Sequence, residues 1–280
     1  MFFLLNGCRP EMPVTSSITI EADGLTFPVN KNLYGLSLEE INHAVDGGIY
    51  AELIQNRSFE DGVLPLHNAY NFTENVMVTP NGYVMPFVRP DSIIGWRALT
   101  SGSKMYPDTR ELINDTNKRS LLVSVAAGDS SGRGGIAAEG YGGISLTKGE
   151  KYELSFYIKS ASPYPKVVHV ALEDSAAKHL LSDEYTITPW ADWRRVKHTF
   201  TATANTRKAI LTFTADSSTV FWLDVVSLFP QKTWKGMRNG LRPDIAELIE
   251  KLHPAFIRFP GGDFVEGYTG GTFPVWHETV

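Results

Sequence analysis

The chain has 280 residues, of which 42% are hydrophobic and 20% charged, enough apolar material for one or two folded domains. A formal charge of −5 gives no electrostatic reason to expect a nucleic-acid partner. The single cysteine, Cys8, excludes an intramolecular disulfide. No apolar run approaches the ~20 residues of a membrane-spanning helix. His43, His169, His179 and His198 show no metal-ligand spacing, so neither a metal nor a cofactor is expected.

At the N-terminus, Met1-Phe2-Phe3-Leu4-Leu5-Asn6-Gly7-Cys8 is a short apolar run with a small residue before the thiol. One reading is the tail of a bacterial lipoprotein signal, with Cys8 the lipidated residue; the other is an accidental apolar start, because the basic region of a signal is missing. Residues 9–17 read as a linker. Residues 18–22 alternate like a strand, and residues 33–40 form a second strand-like run ending on Glu39 and Glu40. Apolar spacing at Ile49, Tyr50, Leu53 and Ile54 predicts a short helix over 49–56.

Between residues 93 and 229 helical periodicity gives way to short β-rich runs separated by turn residues: 120–126, 151–160, 166–173, 193–202, 208–215 and 219–229. This grammar predicts an antiparallel sandwich or jelly roll. Trp96, Tyr141, Trp190, Trp193 and Trp222 are candidates for stacking on sugar rings, although buried aromatics are the rule in a sandwich. Trp222, in an apolar strand, is assigned to the core, and Trp190, after Pro189 in a loop, is the better ligand candidate. The Gly-rich run at 139–143 lacks the strand–helix context of a nucleotide loop.

After Pro230 a helix is expected from Pro243 and Asp244, with Ile245, Leu248, Ile249 and Leu252 on one face and His253-Pro254 as its stop. A compact strand, 255–259, then leads into Pro260-Gly261-Gly262-Asp263. Helix, strand and Gly-rich turn make one repeat of a parallel α/β fold. In such folds function collects at the C-terminal ends of strands. Glu39, Glu40 and Asp263 stand at such ends, where carboxylates are placed to accept hydrogen bonds from sugar hydroxyls. Taken singly, a strand-end Glu is more often mere surface solvation.

Together the two flanks are specific. Residues 33–60, opening Leu33-Tyr34-Gly35-Leu36-Ser37-Leu38-Glu39-Glu40 and closing Asn56-Arg57-Ser58-Phe59-Glu60, resemble the opening of the glycoside hydrolase family 51 α-L-arabinofuranosidases. Leu241-Arg242-Pro243-Asp244 and Phe256-Ile257-Arg258-Phe259-Pro260-Gly261-Gly262 resemble that family's first helix and second strand. The segment between them, above all residues 220–230, resembles a family 4/9 carbohydrate-binding jelly roll.

The resemblance implies an α/β plus all-β fold: the start of a (β/α)8 barrel carrying an inserted antiparallel β-sandwich. The expected division is a leader and linker over 1–17, first barrel elements over 18–90, the sandwich over 91–230 and the first helix and second strand over 231–280. It implies a retaining glycosidase that removes terminal α-L-arabinofuranosyl residues from arabinan and arabinoxylan side chains, with plant cell-wall polysaccharide or arabino-oligosaccharide as partner. Retaining hydrolysis needs two carboxyls about 5–5.5 Å apart. In the family these glutamates lie on later barrel strands, so both are expected beyond Val280 and the chain alone is expected to be inactive. Glu39 matches a glutamate that contacts arabinose hydroxyls. Asp263 stands where relatives carry Cys or Asn, and Arg258 is assigned either to the sugar site, bracing a carboxylate, or to a structural ion pair. The implied location is secreted, periplasmic or lipid-anchored at a bacterial surface. The alternative is a non-catalytic carbohydrate-binding protein acting through the jelly roll.

Overall fold

The computed structural model describes residues 18–20, 24, 27–126, 133–174 and 180–267, the side chains of residues 263 and 264 excepted. The strands are β1 (Leu36–Ser37), β2 (Ala69–Asn71), β3 (Val76–Val78), β4 (Val84–Pro86), β5 (Trp96–Ala98), β6 (Ser103–Asp108), β7 (Ser120–Val125) and β8 (Gly134–Ala138). They continue as β9 (Ile144–Leu146), β10 (Lys151–Ser160), β11 (Val168–Asp174), β12 (Tyr185–Ile187), β13 (Arg194–Thr201), β14 (Thr206–Ala215), β15 (Thr219–Pro230) and β16 (Ile257–Arg258). The helices are α1 (Pro243–Lys251) and α2 (Gly262–Glu266).

Period-two alternation builds the main body. In β10, Tyr152, Leu154, Phe156 and Ile158 are buried while the intervening residues are less so, as a strand with one wet face requires. Strands β13-β10-β15-β7-β6 form one antiparallel sheet, and β12-β11-β14-β8-β5, with β9 beside β14, form the second. Their inner faces share one core, where Phe156 meets Phe213 edge-on at 5.1 Å and Phe59 meets Trp96 at 5.2 Å. Each large side chain so buried contributes about 1.5–3 kcal/mol. The expected jelly-roll sandwich is present. Its core also takes in Ile54 and Phe59, upstream of the expected boundary at residue 91.

Residues 49–56 do not form the expected helix. Ile49 closes a helical turn over Val45–Ile49, residues 51–54 run beside β15 and residues 55–58 turn: Leu53 N–H donates to the Leu228 carbonyl at 3.0 Å, and Val226 N–H donates to the Arg57 carbonyl at 2.8 Å. Ala51 N–H reaches the Gly240 carbonyl, and Tyr50 bridges Leu241. Of the apolar residues that suggested a helical face, Ile49 and Ile54 are buried and Tyr50 and Leu53 half-buried, and the Glu52 carboxylate takes the N–H groups of Leu53 and Ile54 that a helix would have used.

Outside the sandwich, β1 and β16 pair in parallel with register Leu36↔Ile257 and Ser37↔Arg258. Helix α1 is the element before β16, so the three form a βαβ unit interrupted by the sandwich. Pro243 opens α1 with a suitable φ, Asp244 lies at its positive end and Lys251 in its last turn. His253, at φ 47°, turns the chain out of the helix ahead of Pro254. Strands β2, β3 and β4 make a small antiparallel sheet around buried Met77.

Candidate sugar-binding site

The ladder between β1 and β16 sets the geometry. Leu38 N–H donates to the Arg258 carbonyl at 2.9 Å, which brings the residues after both strands to the same end. There the Glu39 side chain lies across the Cα of Gly261. A methyl group on Gly261 would fall 2.6 Å from the Glu39 Cδ, and Gly261 has φ 109°, a conformation that L side chains rarely adopt. Only glycine satisfies both conditions. The two motifs that stood out in the sequence therefore meet in space, with the Glu39 carboxylate half-buried against the Pro260-Gly261-Gly262 turn.

Arg258 is exposed and makes no ion pair among the described residues. Its guanidinium passes 3.5 Å from where a methyl group on Gly262 would sit. Asp263 belongs to α2, but its side chain lies outside the described residues, as do Cys8 and the whole leader.

Glu40 does something its position in the sequence does not announce. Its Oε2 accepts the N–H groups of Val45 (2.8 Å) and Asp46 (3.0 Å), closing the loop that leaves β1. Within that loop Gly47 has φ 84°, and the ring of Tyr141 lies flush against it, 2.5 Å from where a Cβ would be. Tyr141 also meets His43 edge-on at 5.0 Å. A sandwich residue thus packs on the loop that follows Glu39 and Glu40.

Glu52 joins the two parts. Its carboxylate is sealed from solvent and accepts hydrogen bonds from Leu53 N–H (3.0 Å), Ile54 N–H (3.1 Å), Leu228 N–H (2.9 Å) and the Ser227 hydroxyl, with Arg57 at 3.7 Å. Burial raises its pKa against the lowering effect of these donors. Nothing in residue type or spacing marks Glu52 as a junction.

Among the tryptophans, Trp190 is 45% exposed and lines a groove of about 530 Å³ with Pro163, Pro165, Thr186 and Thr188. It belongs to the loop between β12 and β13, on a cleft that Glu39 does not line. The assignment of Trp222 to the core is corrected. Phe221 and Leu223 point inward, and Trp222 alternates to the outer face, donating from Nε1 to Asp108 at 3.2 Å with the Lys159 ammonium 5.8 Å from its ring centre. Trp96 is the buried one, and its Nε1 donates to the Gln55 carbonyl.

Fold and site define an antiparallel β-sandwich set into an α/β unit whose strand ends present a carboxylate beside a glycine turn. Residues 51–219 match the carbohydrate-binding domain family, and the chain belongs to it. The chain is 33% identical to an extracellular exo-α-L-arabinofuranosidase of Streptomyces chartreusis, over 89% of its own length and 26% of that protein. It is 32% identical to α-L-arabinofuranosidase 2 of Arabidopsis thaliana, over 98% of its own length and 38% of that protein. The solved structure of an arabinose-bound family 51 α-L-arabinofuranosidase superposes with a TM-score of 0.70 at 29% identity, covering 89% of this chain and 37% of that one. The resemblance seen in the two flanking motifs thus extends over most of the chain, which spans about a quarter to two-fifths of these relatives.

Proposed function

We propose that this chain forms the sugar-binding N-terminal part of a retaining α-L-arabinofuranosidase acting on terminal α-L-arabinofuranosyl residues of arabinan and arabinoxylan side chains. The observation that carries this reading is the contact of Glu39 with the Pro260-Gly261-Gly262 turn across a parallel strand pair. In this reading the βαβ unit opens a (β/α)8 barrel, and Glu39 accepts hydrogen bonds from arabinose hydroxyls on the floor of its active face. Asp263 and Arg258 complete the polar edge, and Trp190 offers a separate stacking surface. The acid/base and nucleophile glutamates, about 5–5.5 Å apart in a retaining enzyme, are assigned beyond Val280. The same reading places the protein outside the cytoplasm, secreted or held at the surface through Cys8.

The test joins this chain at Val280 to the continuation of the Streptomyces relative and assays release of nitrophenol from p-nitrophenyl α-L-arabinofuranoside. The expected result is activity in the hybrid, none in the chain alone, and a loss of about tenfold or more on Glu39→Gln, equivalent to roughly 1.4 kcal/mol of transition-state contact. A hybrid that is folded by circular dichroism yet releases no nitrophenol overturns the proposal.

A further inference from the structure

We infer that the cleft at the junction of sandwich and βαβ unit is a second carbohydrate site, one that holds a neutral oligosaccharide segment. The cleft has a volume of about 650 Å³, within the range of roughly 300–1,000 Å³ typical of small-molecule sites. One wall comes from the sandwich, with Tyr141, Ser145, Glu150 and Tyr152; the other comes from the flanks, with Tyr50, Asp244 and Glu247. Neither part alone encloses it.

Its chemistry is that of a sugar site. Tyr50 and Tyr141, both half-buried, supply aromatic surface, and such rings pack on the C–H faces of pyranose and furanose rings. The Tyr141 hydroxyl is shielded from solvent beside Asp46, so Tyr141 contributes its ring and not a hydrogen bond to the cleft. Three carboxylates, Glu150, Asp244 and Glu247, reach the cleft against two cations, while the Glu52 carboxylate behind them is sealed from solvent. Both cations are engaged: Arg242 Nη2 lies 2.7 Å from Asp244, and Lys232 Nζ lies 3.6 Å from Glu150. Glu247 has no described partner and is exposed, free to accept hydrogen bonds from a diol. This balance repels phosphates and uronates and favours an uncharged polyol.

The cleft is also tied to Glu39. Glu40 fixes the backbone at Val45 and Asp46, Gly47 follows, and Tyr141 covers Gly47 on the cleft wall. The inference rests on the proposed function for its substrate class, a pentose polysaccharide, and adds a second point of attachment for the same chain.

Calorimetric titration of the full chain with α-1,5-arabinohexaose and with xylohexaose tests it. Glu247→Ala removes the free acceptor, and Ser145→Trp fills the cleft from an exposed strand position. Both are expected to keep the melting temperature and to weaken binding of at least one hexaose about tenfold, the loss of roughly 1.4 kcal/mol. Trigalacturonate is expected not to bind. Undiminished binding by either folded variant, absence of binding by the unaltered chain, or equal binding of trigalacturonate overturns the inference. A loss confined to Glu39→Gln, with both cleft variants unaffected, also overturns it and leaves the proposed function standing, because that function is judged by hydrolysis in the hybrid.

Discussion

Two buried carboxylates carry residue-scale consequences. Glu52 is fully satisfied by donors from its own segment and from β15, so removing it takes the carboxylate acceptor from the N–H groups of Ile54 and Leu228 and from the Ser227 hydroxyl, while the Leu53 N–H keeps the Leu228 carbonyl. Breaking a buried charged network of this kind costs about 3–5 kcal/mol. Glu52→Ala is therefore expected to lower the unfolding free energy read from urea denaturation by that amount, and a change under about 1 kcal/mol would refute the assigned role. Asp224 differs because its donors are few: Val225 N–H at 2.7 Å and Asn117 Nδ2 at 3.4 Å. Burial pushes its pKa up to about 7, with the charge of Glu60 adding to the effect. The unfolded carboxyl titrates near 3.9, so between roughly pH 4 and 7 the folded state holds the extra proton. Stability therefore falls as pH rises through that window, by at most about 1.4 kcal/mol per unit, and levels off above it. Asp224→Asn should flatten this slope and raise stability at pH 7.5 by about 2 kcal/mol, read from urea denaturation at pH 5 and 7.5. An unchanged slope would show that Asp224 stays ionised in the fold.

At the scale of elements, the long strands were legible in sequence and the connections were not. Residues 151–160 alternate without a break, and the strand found there has those bounds. Helix α1 was equally plain, because proline, aspartate and an apolar stripe agree on one answer. Residues 49–56 misled because their apolar spacing suits a helix, while their hydrogen bonds go to the Glu52 carboxylate within the segment and to β15, far away in sequence. The small sheet of β2, β3 and β4 has strands of 3 residues each, too short for any period to show. In the site, Glu39 and the glycine turn were found from their motifs. Glu40 stood out only as a strand-end carboxylate for sugar hydroxyls and Glu52 not at all, since their work is to accept backbone N–H groups whose positions only the fold defines. The β1–β16 pair makes a direct prediction at this scale. Gly261→Ala must move Glu39 or strain φ, so arabinose binding by the hybrid should weaken about tenfold while the melting temperature of the sandwich stays fixed. Binding that survives the substitution would remove Glu39 from the floor.

Seen whole, the molecule divides its apolar surface unevenly. The sandwich closes its core, but Leu33, Leu248, Leu252, Phe256, Ile257 and Phe259 on the βαβ unit are all exposed. Parallel strands are normally covered on both faces, and Ile257, within β16, is 51% exposed. Few buried contacts hold this unit, so its amides should open at low free-energy cost while those of β10, β14 and β15 exchange only on global unfolding. Native-state hydrogen exchange is expected to show this gap, and uniform protection across both parts would contradict it.

The βαβ unit is cut by the sandwich, yet Leu36 and Ile257 sit side by side. This works because the sandwich returns the chain to where it took it: Leu53 enters beside Leu228, and Ala51 bonds to Gly240. Closing a long loop grows only slowly in entropy, about 0.6 kcal/mol for each doubling of length, and a folded insert with adjacent ends removes even most of that. The folded sandwich presents both severed halves of the unit to each other as though joined by a short turn. Evolution could then lengthen, trim or refit the insert without disturbing the register of the strands it separates, provided its entry and exit stayed together.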